Sequence, residues 1–102
     1  MLKLTKNPTK NQIDTLLKYF SNKQLNDAEN YGVKLSQEFP EDPFIWKVLG
    51  VILKENSKIS DSISAIKKSI KLNPNDPEIH NNLGFVYQEN KDYSEAGLFT
   101  IK

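Results

Sequence analysis

His80 is the single histidine of the chain. An imidazole can act as a general acid or base, but only beside a nucleophile or a carboxylate that orients it. No such partner stands at motif spacing. Gly-x-Gly-x-x-Gly, phosphate-loop and Gly-x-Ser-x-Gly patterns are absent from the sequence, so phosphate cradling and serine hydrolysis have no carrier. With no cysteine, thiolate metal sites, disulfides and thiol nucleophiles are excluded together. Asn73-Pro74-Asn75-Asp76 offers oxygen donors, yet it lacks the glycine and closing glutamate of a calcium loop. The reading is therefore non-enzymatic, with no catalytic residue, no metal and no cofactor. His80 is expected to be a packed helix residue. Asp61 and Glu95 read as charges favoured by the positive end of a helix.

The remaining chemistry belongs to lysine, because all 14 basic residues are lysine. Without arginine, bidentate recognition of phosphate or carboxylate is weak. Lys3, Lys6 and Lys10 form a small basic lead-in, and Lys58, Lys67, Lys68 and Lys71 a second group. Both read as solvated surface. The net charge is only +1 over 102 residues, far from the basic excess of a nucleic-acid binder. Met1–Lys10 holds no apolar run, so neither a signal segment nor a membrane span is expected there. A cytoplasmic, soluble protein follows as the expectation. The length fits one small domain.

What could position side chains is a repeat. Pro40–Gly50 laid over Pro74–Gly84, a shift of 34, matches at six of eleven positions: Pro, Asp, Pro, Ile, Leu and Gly. Ala28, Ser62 and Ala96 carry the same spacing, each after an acid. The boundaries expected are a flexible lead-in at 1–8 and a domain at 9–102, divided 9–42, 43–76 and a shortened 77–102. Each unit reads as two helices. Asp42-Pro43 and Asp76-Pro77 place a capping carboxylate before a proline at the first helical position. Trp46, Leu49, Gly50 and Leu53 then share one helical face, as do His80, Leu83, Gly84 and Tyr87. Asn56-Ser57-Lys58 and Asn90-Lys91-Asp92 are the expected breaks, with last helix starting near Tyr93. Ile59, Ile63, Ile66 and Ile70 mark the second helix of the middle unit. It stops before Pro74, where the residue ahead of proline leaves the helical region.

Trp46-x-x-Leu49-Gly50-x-x-Leu53 with Ser62, Ile66, Ser69 and Pro74 resembles the tetratricopeptide repeat. His80-x-x-Leu83-Gly84-x-x-Tyr87 with Ala96 resembles it again. Gln12-x-x-Thr15-Leu16-x-x-Tyr19 keeps the frame through Ala28, Leu35 and Pro40 but has lost the tryptophan, leucine and glycine. The resemblance implies an all-α, right-handed superhelical solenoid of antiparallel helix pairs, about two and a half repeats long, that binds a protein or peptide partner. Mid-helix glycine costs up to about 1 kcal/mol relative to alanine. Gly50 and Gly84 are therefore expected at close crossings against small Ser62 and Ala96. Leu16 opposite Gly32 reads as the same contact with large and small exchanged.

The resemblance places the first helix of each unit on a concave face. Three rows follow: Leu17, Val51 and Phe85; Ile13, Lys47 and Asn81; Phe20, Lys54 and Gln88. Phe44 and Asn82 complete the candidate peptide-binding set. The apolar row can equally be buried between neighbouring helices, and both readings stand at this stage. Members that clamp a C-terminal carboxylate use lysines and asparagines at places held here by Ile13, Leu17 and Val48, so that clamp is not expected. Asn82 matches repeats of O-linked N-acetylglucosamine transferases, and Phe44–Gly50 resembles repeats ahead of bacterial glycosyltransferase or sulfotransferase domains. Two alternatives follow: a regulatory or substrate-recruiting arm of such an enzyme, truncated at residue 102, or a self-assembly element. Ala96, Leu98, Phe99 and Ile101 form an apolar edge. Either the chain continues beyond it and the last helix frays in a monomer, or two copies cover it as a weak dimer; the monomer is favoured.

Overall fold

The computed structural model describes the backbone of residues 7–98 and the side chains of residues 7–89. Lys3, Lys6, Phe99 and Ile101, and the side chains of Tyr93, Ala96 and Leu98, lie outside the described residues. The described chain is five helices in sequence and contains no strand: α1 (Lys10–Ser21), α2 (Leu25–Glu38), α3 (Pro43–Glu55), α4 (Ile59–Leu72) and α5 (Pro77–Leu98). The described fold is all-helical, consistent with the tetratricopeptide-like arrangement that the resemblance implies.

The helix starts follow local chemistry. Thr9 caps α1 in a reciprocal capping box with Gln12. Asp42 Oδ1 accepts from the amides of Phe44 and Ile45 at 2.8 and 3.2 Å, ahead of Pro43. Asp76 Oδ1 accepts from the Glu78 amide at 3.0 Å. Asp27 and Asp61 sit in the first turns of α2 and α4, where the helix field favours an anion. Pro8, placed in the flexible lead-in by the sequence, is buried.

Three-residue turns join α1 to α2 and α3 to α4. Each holds its middle residue in the left-handed region, Lys23 at φ 62° and Ser57 at φ 66°. Those two residues are 34 apart. The α3–α4 hairpin is antiparallel, as two hydroxyl bonds demonstrate. Ser62 Oγ, early in α4, donates to the Gly50 carbonyl at 2.6 Å, and Ser69 Oγ, late in α4, donates to the Pro43 carbonyl at 2.8 Å.

Among the described residues three apolar clusters run along the stack. Leu16, Ala28, Leu35, Phe39, Ile45, Val48 and Ile52 join the first unit to α3. Leu49, Leu53 and Ala65 close the α3–α4 hairpin. Ile66, Ile79 and Val86 seat α5 on α4. A Cβ added at Gly50 would lie 2.5 Å from Ile66 Cγ1, and one at Gly32 would lie 3.1 Å from Leu49 Cδ1 and 3.6 Å from Leu16 Cδ1. Both glycines thus serve close crossings, and the Leu16–Gly32 exchange of large and small is real.

The third unit departs from the expectation. No break occurs at Asn90-Lys91-Asp92; α5 is one helix of 22 residues through the position where a second helix was to begin. The physical reason is tertiary. Lys91 is the counterpart of Lys23 and Ser57, and a non-glycine residue turned left-handed is uphill unless a returning helix packs well. No proline or glycine stands at 22–24, 56–58 or 90–92 to force a reversal, so each turn depends on what the returning helix buries. Gly84 differs correspondingly: among the described residues nothing lies within 4 Å of its would-be Cβ, so the expected crossing is not formed there.

Candidate functional site

Val51 lies on α3 and Phe85 on α5, at the same position of successive units. Between them opens a cleft of about 80 Å³ lined by Val51, Lys54, Asn82 and Phe85 and floored by Ile66 and Val86. The floor is fixed, because Ile66 and Val86 are fully buried in the α4–α5 cluster. The wall is not: Phe85 is 64% exposed. A large aromatic left that open on a fixed floor is available for contact. Lys54 Nζ, at the rim, meets Glu55 Oε2 at 3.3 Å. A larger cleft of about 620 Å³ begins at the same lysine and runs along Ser57–Asp61 to Glu89.

The other candidates spread further. Leu17 and Phe44 are each 38% exposed, and Ile13 is half-buried; none of the three lines the small cleft. Phe20 packs against the first apolar cluster, so it is a supporting residue as much as a surface one. Asn81 and Gln88 are exposed on α5. Val48, which stands where a carboxylate clamp would need a polar group, is 8% exposed and part of the core.

Lys47, a candidate of the second row, is engaged within the chain. Its Nζ donates to Asp76 Oδ2 at 3.0 Å and Glu78 Oε1 at 2.6 Å, tying α3 to the start of α5. Burial opposes the ammonium charge, but the bonds to Glu78 and Asp76 outweigh it and hold Lys47 above the ordinary lysine value. The Lys47 bond in turn holds Asp76 below the ordinary carboxylate value. A second tie joins the first two units. Lys58 Nζ donates to Glu29 Oε2 at 2.7 Å, and Asn56 Nδ2 donates to Glu29 Oε1 at 2.7 Å and Asn26 Oδ1 at 3.0 Å. The Lys58 bond lowers Glu29 against the opposing effect of burial. Sequence reading missed both ties. Their partners come from different units, and no local spacing signals them.

His80 is exposed, not packed. Its Nε2 lies 2.8 Å from the Pro74 carbonyl. That oxygen can only accept, so the ring nitrogen carries the hydrogen. Trp46 does the same one unit earlier, with Nε1 donating to the Pro40 carbonyl at 2.8 Å. His80 therefore performs the indole's task of pinning the linker to the helix that follows it. Lys67 and Lys68 are exposed, as expected of an outward face, and stand over the rings of Tyr87 and Trp46 at 5.7 and 5.9 Å.

The stretch from Ala65 into α5 carries the family comparison. Residues 65–97 match the family model described as Tetratricopeptide repeat. That match supports a tetratricopeptide family for the chain and, with it, a protein-interaction role. It carries no glycosyltransferase or sulfotransferase context. No curated protein matches the chain. Among the described residues no cluster of histidine and carboxylate side chains could hold a metal ion, and no helix is long and apolar enough to cross a membrane.

Proposed function

We propose that residues 9–102 form a non-catalytic tetratricopeptide module that binds an extended or helical peptide on the face presented by α1, α3 and α5. The cleft of Val51, Lys54, Asn82 and Phe85 carries this reading. It combines a rigid apolar floor, an exposed aromatic wall and polar groups at the rim, the combination expected of a small specific site. The cleft has room for one aliphatic side chain. Burying such a side chain contributes about 1.5–3 kcal/mol, and the Asn82 amide can both donate to and accept from a peptide backbone. Leu17 and Phe44 extend the apolar contact beyond the cleft. Lys47, engaged by Asp76 and Glu78, shapes the face without offering a free charge. Salt should therefore affect binding only weakly.

A displayed random-peptide library selected on the immobilised chain tests the reading. Selected sequences should share one aliphatic or aromatic anchor. In amide spectra they should shift Val51, Lys54, Asn82 and Phe85 first. Binders that shift α2 and the outer face of α4 instead, or a selection yielding only lysine-seeking acidic peptides, would contradict it.

A further inference from the structure

One apolar cluster joins Val33 of α2, Trp46, Leu49 and Leu53 of α3, and Ala65 of α4. Shifted by 34, the first four become Lys67, His80, Leu83 and Tyr87. The geometry shifts with them. Lys67 of α4 stands over the Tyr87 ring at 5.7 Å, and His80 bonds the Pro74 carbonyl as Trp46 bonds that of Pro40. What is not repeated is the covering helix. On α3, α4 presses Ile66 against Gly50 and bonds it through Ser62. On α5, among the described residues nothing lies within 4 Å of a would-be Cβ at Gly84. Gly84 and His80 are exposed, and Tyr87 is 43% exposed. At about 100° per residue, Leu83, Tyr87, His80 and Gly84 span about 100° of α5. That strip is as wide as one helix covers, and Phe85 lies about 100° beyond Gly84 on its far side.

We propose that this strip receives an acidic amphipathic helix of a partner protein, seated on α5 as α4 sits on α3. A small residue of that helix crosses Gly84, and its apolar side chains rest on Leu83 and Tyr87. Its carboxylates meet Lys67 and Lys71 along the α4 edge. Two observations select this occupant. The first is Gly84, where a missing side chain lets another backbone approach closely, as it does at Gly50. The second is charge. The strip differs from its counterpart in one direction: Val33 becomes Lys67, and Gln37 becomes Lys71 one turn further along α4. Both lysines are exposed, and among the described residues no carboxylate pairs with either. Two ammonium groups beside an apolar strip favour an acidic partner and fix which way its polar edge faces. The contact leaves the cleft of Val51 and Phe85 open.

A lactam-stapled helix of 14 residues, the length of α4, is the probe, titrated against the whole chain. It keeps the residues that α4 sets against α3, Ser62, Ala65, Ile66 and Ser69, at their spacing. Lys68→Glu and Leu72→Glu in the probe add carboxylates beside Asp61 along one side. A control probe carries lysine at those three positions. The acidic probe should bind, more weakly as salt is raised, and the control should not. Amide shifts should centre on Lys67, Leu83, Gly84 and Tyr87. Gly84→Leu in the chain should raise Kd at least about tenfold with helicity retained, because the new side chain meets empty space when the strip is uncovered. Lys67→Glu with Lys71→Glu should raise it as much and favour the control probe. An acidic probe that does not bind, equal binding of the two probes, or a Kd that Gly84→Leu leaves unchanged overturns the proposal. Shifts centred on Val51 and Phe85, or on Gly50, overturn the placement on this strip.

Discussion

Ser62 Oγ donates to the Gly50 carbonyl at 2.6 Å across the α3–α4 crossing. The bond is possible only because Gly50 carries no Cβ. One there would lie 2.5 Å from Ile66 Cγ1, and the two helices would have to separate. Gly50→Ala should therefore destabilise the fold by about 1–3 kcal/mol through overpacking, despite a gain of up to about 1 kcal/mol in helix propensity. Urea denaturation measures the difference. A stability equal to or above that of the parent would contradict the crossing.

Much of this was legible because glycine, proline and capping aspartate act locally. Asp42-Pro43 and Asp76-Pro77 mark real helix starts, and Ser62 identifies the residue across from Gly50. The concave rows were less legible. Val51 and Phe85 do share a cleft, but Phe20 turns onto the core and Lys47 is held by Asp76 and Glu78. A 34-residue spacing assigns positions, not partners. The failure at 90–92 has the same origin. A turn there depends on what the returning helix can bury, and that is a tertiary matter which a polar triplet does not encode.

The linker pins give a second expectation. His80→Phe removes the bond to the Pro74 carbonyl and should cost about 0.5–1.5 kcal/mol. His80→Trp, which restores an N–H as in Trp46, should recover most of it. The same denaturation assay reads both; equal losses in the two variants would show that the bond contributes nothing.

The ties between units predict a pH dependence with a definite sign. Asp76 and Glu29 are held below their ordinary values of 3.8 and 4.5. Their contribution is present above those values and is lost as pH falls through the lowered ones. Lys47 and Lys58 are held above 10.5, so their contribution persists through neutral pH and is lost only as pH rises past the raised values. Stability should be flat between about pH 6 and 9 as far as these groups decide it. Lys47→Met should flatten the acid limb by freeing Asp76. An acid limb identical in parent and variant would show that the tie adds nothing to folding.

The most direct test of the binding face sets stability against affinity at one residue. Phe85 is 64% exposed, so Phe85→Ala should lower unfolding free energy by less than about 1 kcal/mol, well short of the 3–5 kcal/mol of a core phenylalanine. For a peptide selected on the parent chain, the same substitution should raise Kd at least about tenfold. Calorimetric titration and urea denaturation of the two proteins supply both numbers. Weakened binding at near-parent stability is the predicted result. A loss of several kcal/mol in stability, or an unchanged Kd, would contradict a peptide-binding face built around Phe85.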